Sequence, residues 1–324
     1  MSGRTRWGIV GTGGISRATV GDLHLAEDLD LVAVASRHEQ TAAAFAAAHE
    51  VPRWYGDVDA LLAADDVDVV YLCTPIGTHA DLARRALLAG KHVLVEKALA
   101  STADEARSLA ALAAEQGRFL MEAMWMRFNP AVRRVLADVA DGRIGEVRSV
   151  RASFGFPPPP GTAPWQPGGG GALLDMGVYP LTLAHLLFGV PTAVEATGEV
   201  RADGVDLTAS VFLRYGDDRF AALLTSLRSV VGAGADIGGT DGAITLDAPF
   251  FATGSLSVLS ASSRRPDRVE LPLEGNGYVP MFRAVAEAVA DGLLEHADRP
   301  LRDTIAVLDT IDLVRARLLA AAQV

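Results

Sequence analysis

A glycine turn near the start of the chain restricts the fold more than any other feature of the sequence. An apolar run, Trp7–Val10, leads directly into Gly11-x-Gly13-x-x-Ser16, and a stretch with helical character follows. Gly11 permits backbone angles that a side chain opposes, and Gly13 lets a phosphate approach the backbone. The N–H groups and the dipole of the following helix favour an anion at this point. The spacing therefore predicts a strand–turn–helix unit that binds a dinucleotide.

Ser16 stands where the usual motif has its third glycine. Serine is small, so the helix can still pack closely against the strand. The alternative is a glycine turn in some other α/β protein. The strand before the turn and a second strand at the expected distance argue against that alternative. The candidate cofactor residues in this turn are Gly11, Thr12, Gly13, Gly14 and Ile15.

The second predicted strand, Leu31–Ala35, ends at Ser36-Arg37. Sites that prefer NAD usually carry an acidic residue here, which binds the ribose 2′-hydroxyl. No carboxylate stands at this strand end, whereas the Ser36 hydroxyl and the Arg37 guanidinium can bind a 2′-phosphate. The sequence therefore predicts NADP(H) over NAD(H). The alternative is that Arg37 is an ordinary surface arginine, because Glu39 follows two residues later.

Composition excludes several classes of protein. The 324 residues carry a net charge of −11, which makes nucleic acids and anionic membranes poor partners. Cys73 is the single cysteine, which excludes an intrachain disulfide and a cysteine-rich metal cluster. No His, Cys and Asp cluster has metal-ligand spacing, so no metal is expected. No apolar run reaches the roughly 18 residues of a membrane span, and the N-terminus lacks a signal-peptide layout, so we expect a cytoplasmic protein.

The order of elements predicts an α/β fold with two domains. Strand and helix patterns alternate at first, which indicates a doubly wound parallel sheet of the Rossmann type. From Ala193 to Glu270 the residues alternate in twos, which indicates a large, mostly antiparallel open sheet. We therefore predict a dinucleotide-binding Rossmann domain at 1–122 and an α+β substrate-binding and dimerisation domain at 123–324.

Individual elements follow from periodicity and from start and stop signals. Thr102 and Glu105 form a capping box that begins a helix. The proline and glycine tracts in 157–171 are a surface loop or, as we favour, a mobile flap. Helices are predicted at His79–Ala89, Thr102–Gln116, Pro130–Ala140, Ala172–Leu187, Met281–Gly292 and Leu301–Ala322, and strands at Val67–Leu72, His92–Val95, Phe119–Glu122 and Gly145–Phe156.

Polar residues follow three predicted strands of the first domain. Thr74-Pro75 comes after one strand and is followed by His79, Glu96-Lys97 comes after the next, and Glu122 ends a third. In open α/β sheets, ligands bind at the carboxyl ends of the strands. These groups are therefore candidates for contact with the cofactor or substrate.

Glu96-Lys97-Ala98-Leu99 resembles the Glu-Lys-Pro motif of the glucose–fructose oxidoreductase / inositol dehydrogenase family (Gfo/Idh/MocA). The resemblance covers almost the full chain, and its last two motifs look most like the branch of dihydrodiol dehydrogenases and NADP-dependent D-xylose dehydrogenases. Ala98 departs from the family's proline, which implies a turn that holds Lys97 less rigidly. The motifs that carry the resemblance are Gly11–Ser16, Ser36-Arg37, Cys73–His79, Glu96–Leu99, Met121–Pro130 and Gly169–Pro180.

The resemblance implies that Lys97 is catalytic and that Asp175 and Tyr179 belong to the same site. Asp175 and Tyr179 are four residues apart on a predicted helix, so they share a face. The alternative is a buried, hydrogen-bonded tyrosine beside a carboxylate at a helix start.

An alcohol dehydrogenation needs a base within hydrogen-bond reach of the hydroxyl. Lowering the pKa of a tyrosine from about 10 to about 7 requires roughly 4 kcal/mol, which an ammonium about 4 Å away supplies at an effective dielectric of about 20. We assign Tyr179 as acid/base, Lys97 as its electrostatic partner and Asp175 as the group that orients a hydroxyl. Whether lysine or tyrosine moves the proton is left open.

Weaker candidates complete the predicted site. Arg127, Phe128 and Trp165 are pocket candidates, although a domain hinge is an equal alternative for the first two. His185 lies six residues beyond Tyr179 and is expected to be structural. The cofactor-side residues beyond the glycine turn are Ser36, Arg37, Thr74, Pro75, His79, Glu96 and Lys97.

These features together predict an NADP-dependent oxidoreductase acting on a sugar or polyol. An aldose such as D-xylose, oxidised at C1, is favoured, in part because few aromatic residues are available to stack on an aromatic diol. A trans-dihydrodiol, or reduction of a sugar carbonyl, comes next. The alternatives are a glycoside hydrolase that retains NAD and a non-catalytic cofactor sensor. A homodimer is predicted through the second sheet, on the face formed by Leu207, Ala209, Val211, Leu213 and Tyr215.

Overall fold

The computed structural model describes residues 4–216, 218–263 and 265–321. The chain divides into two compact units, which we call the first unit (Met1–Trp125 with Glu274–Thr304) and the second unit (Met126–Leu273 with Ile305–Val324). The functional division at residue 122 stays a prediction.

Elements follow in chain order. The strands are β1 (Thr5–Val10), β2 (Leu29–Ala35), β3 (Arg53–Tyr55), β4 (Val69–Leu72), β5 (His92–Glu96), β6 (Leu120–Ala123), β7 (Val147–Gly155), β8 (Ala193–Val200), β9 (Asp206–Tyr215), β10 (Arg219–Ser226), β11 (Ala235–Gly239), β12 (Gly242–Leu246), β13 (Ser255–Ser260) and β14 (Asp267–Glu270). The α-helices are α1 (Gly14–Leu25), α2 (Glu39–Ala48), α3 (Val58–Leu62), α4 (His79–Leu88), α5 (Ala103–Gln116), α6 (Pro130–Ala140), α7 (Val178–Phe188), α8 (Val279–Ala290) and α9 (Leu301–Ala321). The predicted end of the last helix, residue 322, lies outside the described residues.

The first unit contains a six-stranded sheet in the order β3-β2-β1-β4-β5-β6. Its neighbouring strands run parallel, which confirms the predicted doubly wound sheet. Val93, Leu94 and Val95 in β5 are fully buried, as expected for a strand covered on both faces. The strand order reverses between β1 and β4, and dinucleotides bind at such a reversal.

Helix α5 shows how local sequence sets an element's ends. The Thr102 side chain accepts a hydrogen bond from the Glu105 N–H (3.2 Å), and the Glu105 carboxylate accepts one from the Ser101 N–H (2.9 Å). Gly117 ends the helix with a positive φ of 59°, which glycine adopts readily. The predicted helix start and the Thr102 cap are confirmed, while the Glu105 carboxylate accepts from the residue before the cap.

A buried carboxylate attaches the segment before α8 to the first unit. Asp22, in α1, is 2% exposed and accepts hydrogen bonds from the N–H groups of Asn276 (2.9 Å) and Tyr278 (2.8 Å). In α8, the Phe282 ring lies 5.8 Å from that of Trp7 in β1. Sequence order predicted a helix here but did not indicate which sheet it covers.

The second unit contains an eight-stranded sheet in the order β14-β13-β12-β11-β7-β10-β9-β8. Strands β7 and β10 pair in parallel and the other neighbours antiparallel, which confirms the predicted mostly antiparallel sheet. The helix predicted at 172–187 is a π-helical turn, Leu173–Gly177, that continues into α7.

The prediction that the apolar face of β9 is open for dimerisation was wrong. Its apolar residues, Leu207 to Tyr215 in alternation, are at most 5% exposed, because this face packs against α7 and the π-helical turn. The outward face instead carries Phe212, Phe220 and Leu224. Alternation distinguishes two faces but does not show which face the chain's own helices cover.

No helix in the described part of the chain is both long enough and apolar enough to cross a membrane.

We expect Asp22→Ala to lower the free energy of unfolding by about 1–3 kcal/mol, because the buried Tyr278 N–H loses its acceptor. Urea unfolding measures the change. Asp30→Ala is the matched control, since this exposed carboxylate pairs with the exposed Arg4 and such pairs contribute about 0–1 kcal/mol. Equal losses in both variants would contradict the assigned role of Asp22.

Candidate active site

The glycine turn of the first unit has the shape that a dinucleotide needs. Gly11 has a φ of +109°, and a Cβ added there would lie 2.6 Å from the Cys73 carbonyl oxygen. A Cβ on Gly13 or Gly14 would meet no atom within 4 Å, so the space over the start of α1 is open. The Ser16 hydroxyl donates to the Gly11 carbonyl oxygen (2.9 Å). Ser16 thus stabilises the turn while leaving room for a pyrophosphate.

Ser36 and Arg37 lie beside this turn. The Gly11 N–H donates to the carbonyl oxygen of Ala35, the last residue of β2 (2.9 Å), so the turn and the end of β2 are directly joined. Arg37 is exposed and Ser36 half-buried. This is the position at which a ribose 2′-substituent is recognised in dinucleotide-binding folds.

The turns after β4 and β5 are linked by His79. One ring nitrogen lies 2.8 Å from the Thr74 carbonyl oxygen and the other 2.8 Å from the Ala98 carbonyl oxygen. The ring is fully buried, and burial lowers the pKa of His79 below its ordinary value. The imidazole therefore joins two segments that were both predicted to face the cofactor.

The Lys97 segment begins with a buried carboxyl group. The Glu96 side chain accepts hydrogen bonds from the Tyr71 hydroxyl (2.5 Å) and the Lys97 N–H (3.1 Å). Burial raises the pKa of Glu96 to about 7, against the opposing effects of the Tyr71 hydrogen bond and the Lys97 charge. The Lys97–Ala98 peptide bond is cis. Glu96 is thus part of the support of Lys97, and its side chain is only 4% exposed.

In the second unit, Asp175 lies in the π-helical turn and Tyr179 in the first turn of α7. The turn is held where it begins, because the Leu173 N–H donates to the buried Asp206 carboxylate (2.7 Å). The Thr225 hydroxyl donates to the Ala172 carbonyl oxygen (3.1 Å). Such π-helical turns are rare and frequently occur at functional sites.

Aromatic rings surround Tyr179. Its ring stacks on Phe251 at a centroid distance of 4.4 Å, and Phe154 meets it edge-on at 6.0 Å. Phe156 lies 5.8 Å from Phe154 and is 42% exposed. The low aromatic content suggested few rings for stacking, yet several of them gather here. In the sequence, only the strand alternation around Phe154 could have indicated where its ring lies, and no pattern around Phe251 indicated its place beside Tyr179.

Of the weaker candidates, Trp165 lies close to the Asp175 turn. Its ring packs against a core that includes Ala172 and Met176, and its indole N–H donates to the Pro158 carbonyl oxygen (3.0 Å). That bond folds the loop 157–171 on itself, while its mobility as a flap stays a prediction.

The other two pocket candidates follow β6 in a 3₁₀ turn. Phe128 is 1% exposed, with the Arg133 guanidinium 5.5 Å from its ring, so it packs in the interior. Arg127 is half-buried. His185 contacts the Thr310 hydroxyl at 2.9 Å, as a structural residue would. Among the residues described, no three His, Cys, Asp or Glu side chains are grouped to hold a metal ion.

Family models match most of the chain. Residues 5–124 match the model described as an oxidoreductase family with an NAD-binding Rossmann fold. Residues 132–245 match the model of the Gfo/Idh/MocA C-terminal domain.

Named relatives match over almost the whole chain. A bovine (Bos taurus) protein named trans-1,2-dihydrobenzene-1,2-diol dehydrogenase is 32% identical over 96% of both chains. A 3-ketoreductase from Actinomadura kijaniata, solved with NADP and TDP-benzene, is 30% identical with a TM-score of 0.87, covering 97% of this chain and 98% of its own. An aldose-aldose oxidoreductase from Caulobacter crescentus is 25% identical with a TM-score of 0.88, covering 98% of each chain.

The glycine turn, the Glu96–Leu99 segment and the matches to both domain models lead to one conclusion: this chain is a member of the Gfo/Idh/MocA oxidoreductase family, with an NAD(P)-binding Rossmann domain.

Proposed function

We propose that this protein is an NADP-dependent oxidoreductase that transfers a hydride between nicotinamide and a hydroxyl or carbonyl carbon of a sugar or polyol. The observation that carries the proposal is the arrangement in the first unit, where the open glycine turn and the Lys97 segment both follow strands of one parallel sheet. A D-xylose-like aldose oxidised at C1 is the first substrate to test. The reductase and aldose oxidoreductase among the solved relatives support this substrate class.

The aromatic rings beside Tyr179 favour a second candidate. Phe154 and Phe251 offer flat apolar surfaces, which suit the ring of a trans-dihydrodiol, and the bovine relative is named for such a substrate. Steady-state assays of aldoses, polyols and dihydrodiols with NADP⁺, followed by NADPH absorbance, separate the two. A glycoside hydrolase with retained NAD, or a cofactor sensor, would show no net NADPH formation with any of them.

The proposed chemistry assigns one role to each side chain. When bound, the nicotinamide accepts or supplies the hydride. Tyr179 removes the hydroxyl proton in oxidation and returns it in reduction. Lys97 stabilises the tyrosinate through its positive charge, and Asp175 orients a substrate hydroxyl by accepting its hydrogen bond. Lys97 as the direct proton carrier remains the alternative.

Tyr179→Phe tests the acid/base assignment. We expect kcat to fall about 10²- to 10⁴-fold, because a positioned acid/base group contributes that much. Tyr215→Phe is the matched control, since Tyr215 is a buried tyrosine of the same unit whose hydroxyl has no hydrogen-bond partner among the residues that the structure describes. If Tyr179→Phe turns over as fast as Tyr215→Phe, the tyrosine has no part in proton transfer.

Cofactor preference is proposed to depend on Ser36 and Arg37. We expect the double variant Ser36→Asp/Arg37→Ile to have a kcat/KM for NADP⁺ that is about 10- to 100-fold lower. The reason is that it loses one or two charge-assisted hydrogen bonds to the 2′-phosphate. The new carboxylate is expected to raise kcat/KM for NAD⁺. Arg84→Ile, an exposed arginine of α4, controls for loss of positive charge. An unchanged preference in the double variant would show that recognition lies elsewhere.

We also propose a homodimer formed by the outward face of the second sheet. Phe220 is 39% exposed, and its ring stacks on Phe212 at 5.3 Å. With Leu224, these rings form an exposed apolar patch of the kind that pairs with a copy of itself.

Sedimentation at micromolar concentration is expected to show a dimer, and Phe212→Glu/Phe220→Glu a monomer, because paired copies would bring like charges together. Leu88→Glu, at an exposed leucine of the first unit, is expected to leave the dimer intact. A monomeric parent protein rules out the proposal.

A further inference from the structure

The backbone of the Lys97 turn is held at three successive residues by buried side chains. The Glu96 carboxylate accepts the Lys97 N–H, and the His79 ring contacts the Ala98 carbonyl oxygen. The third contact comes from Glu122, whose Oε1 accepts the Leu99 N–H at 3.1 Å. Contacts with buried side chains therefore restrain the backbone of this turn.

Glu122 is a long-range anchor. It lies on β6, next to β5, and its side chain is 1% exposed. Its Oε2 accepts hydrogen bonds from Arg299 Nε (3.0 Å), from Arg299 Nη2 and from the Thr304 hydroxyl (3.2 Å). Arg299 is also 1% exposed, so the negative charge is neutralised inside the first unit.

General physical chemistry gives no reason to expect this charged pair to stabilise the fold more than apolar residues would. A buried ion pair is often no more stabilising than apolar residues of the same volume, because both charges lose their hydration. What apolar residues at these positions would lack is an acceptor for the Leu99 N–H. The pair therefore gives the turn a hydrogen-bond acceptor that apolar packing would not provide.

We propose that Glu122, oriented by its ion pair with Arg299, is a positioning residue for Lys97. It acts by holding the Leu99 N–H and hence the backbone two residues beyond the lysine. The role rests on the proposed function, in which the Lys97 ammonium must be placed against the reacting oxygen, where a displacement of about 1 Å can cost about 10²-fold in rate.

Two double variants separate positioning from packing. Glu122→Met/Arg299→Met removes the charges and the acceptor, whereas Glu122→Gln/Arg299→Met removes the charges and keeps an amide oxygen for the Leu99 N–H. We expect kcat at least tenfold lower in the first than in the second, with KM for NADP⁺ similar. Equal kcat values in the two variants overturn the proposal.

The same comparison in a Lys97→Met background identifies the residue through which Glu122 acts. A positioning role predicts that the two variants then have equal residual turnover, because there is no lysine left to place. A further tenfold loss there would mean general damage to the fold and would overturn the proposal. If the Met/Met variant does not fold, Glu122→Asp replaces it, since the shorter side chain keeps the charge and withdraws from Leu99.

Amide hydrogen exchange at Leu99 gives a readout that is independent of activity. Faster exchange in the variant without the acceptor supports the anchor, and equal exchange overturns it. If the parent protein forms no NADPH with any substrate, the proposed function is wrong, and if Lys97→Met alone retains full turnover, the role assigned to Lys97 is wrong. In either case the exchange rates still decide whether Glu122 holds the turn.

Discussion

Buried carboxylates that accept backbone N–H groups hold three irregular segments on which the arrangement of this protein depends. An N–H that is taken out of water without an acceptor is costly, and irregular turns cannot satisfy it within a helix or sheet. Asp22 serves the segment before α8, Glu122 the Lys97 turn and Asp206 the start of the π-helical turn. Each is at most 2% exposed, so each turn is fixed by an interaction that water cannot easily replace.

Asp206 shows how charge and space are balanced in the second unit. Burial raises the pKa of Asp206, and the nearby Arg315 guanidinium opposes that rise. Arg315 donates to the Asp206 carboxylate at 3.2 Å and to the Gly170 carbonyl oxygen at 3.1 Å. A side chain on Gly171 would collide with this carboxylate. In the glycine tract before Asp175, Gly171 is therefore required by close packing, independently of any hinge function of the tract.

Local patterns predicted what depends on local physics. The glycine turn, the Thr102 cap of α5 and the alternation in the second sheet each involve residues near one another in the chain, and each is confirmed in the structure. The attachment of 274–304 to the first unit includes hydrogen bonds to Asp22, some 250 residues earlier. Nothing in the sequence around Asp22 distinguishes it from a solvated helix carboxylate.

The candidate site residues show the same contrast between local patterns, which the sequence reveals, and distant contacts, which it does not. Glu96-Lys97 was found because it directly follows a strand, and its neighbour Leu99 showed no sign of a distant acceptor. Phe251 and Phe154 are almost 100 residues apart, and only the fold brings their rings together beside Tyr179. Sequence indicated which chemical groups are present, and the distant contacts that support them required the structure.

Arg37, the proposed ligand of the 2′-phosphate, differs in exposure from the residues that hold the turns around it. Its side chain projects at the surface, whereas the residues that hold the neighbouring turns are buried and hydrogen-bonded. Substitutions at surface positions usually leave folding unaffected. Under the role proposed for Ser36 and Arg37, a change of coenzyme preference therefore requires substitutions only at the tip of β2 and no rebuilding of the interior.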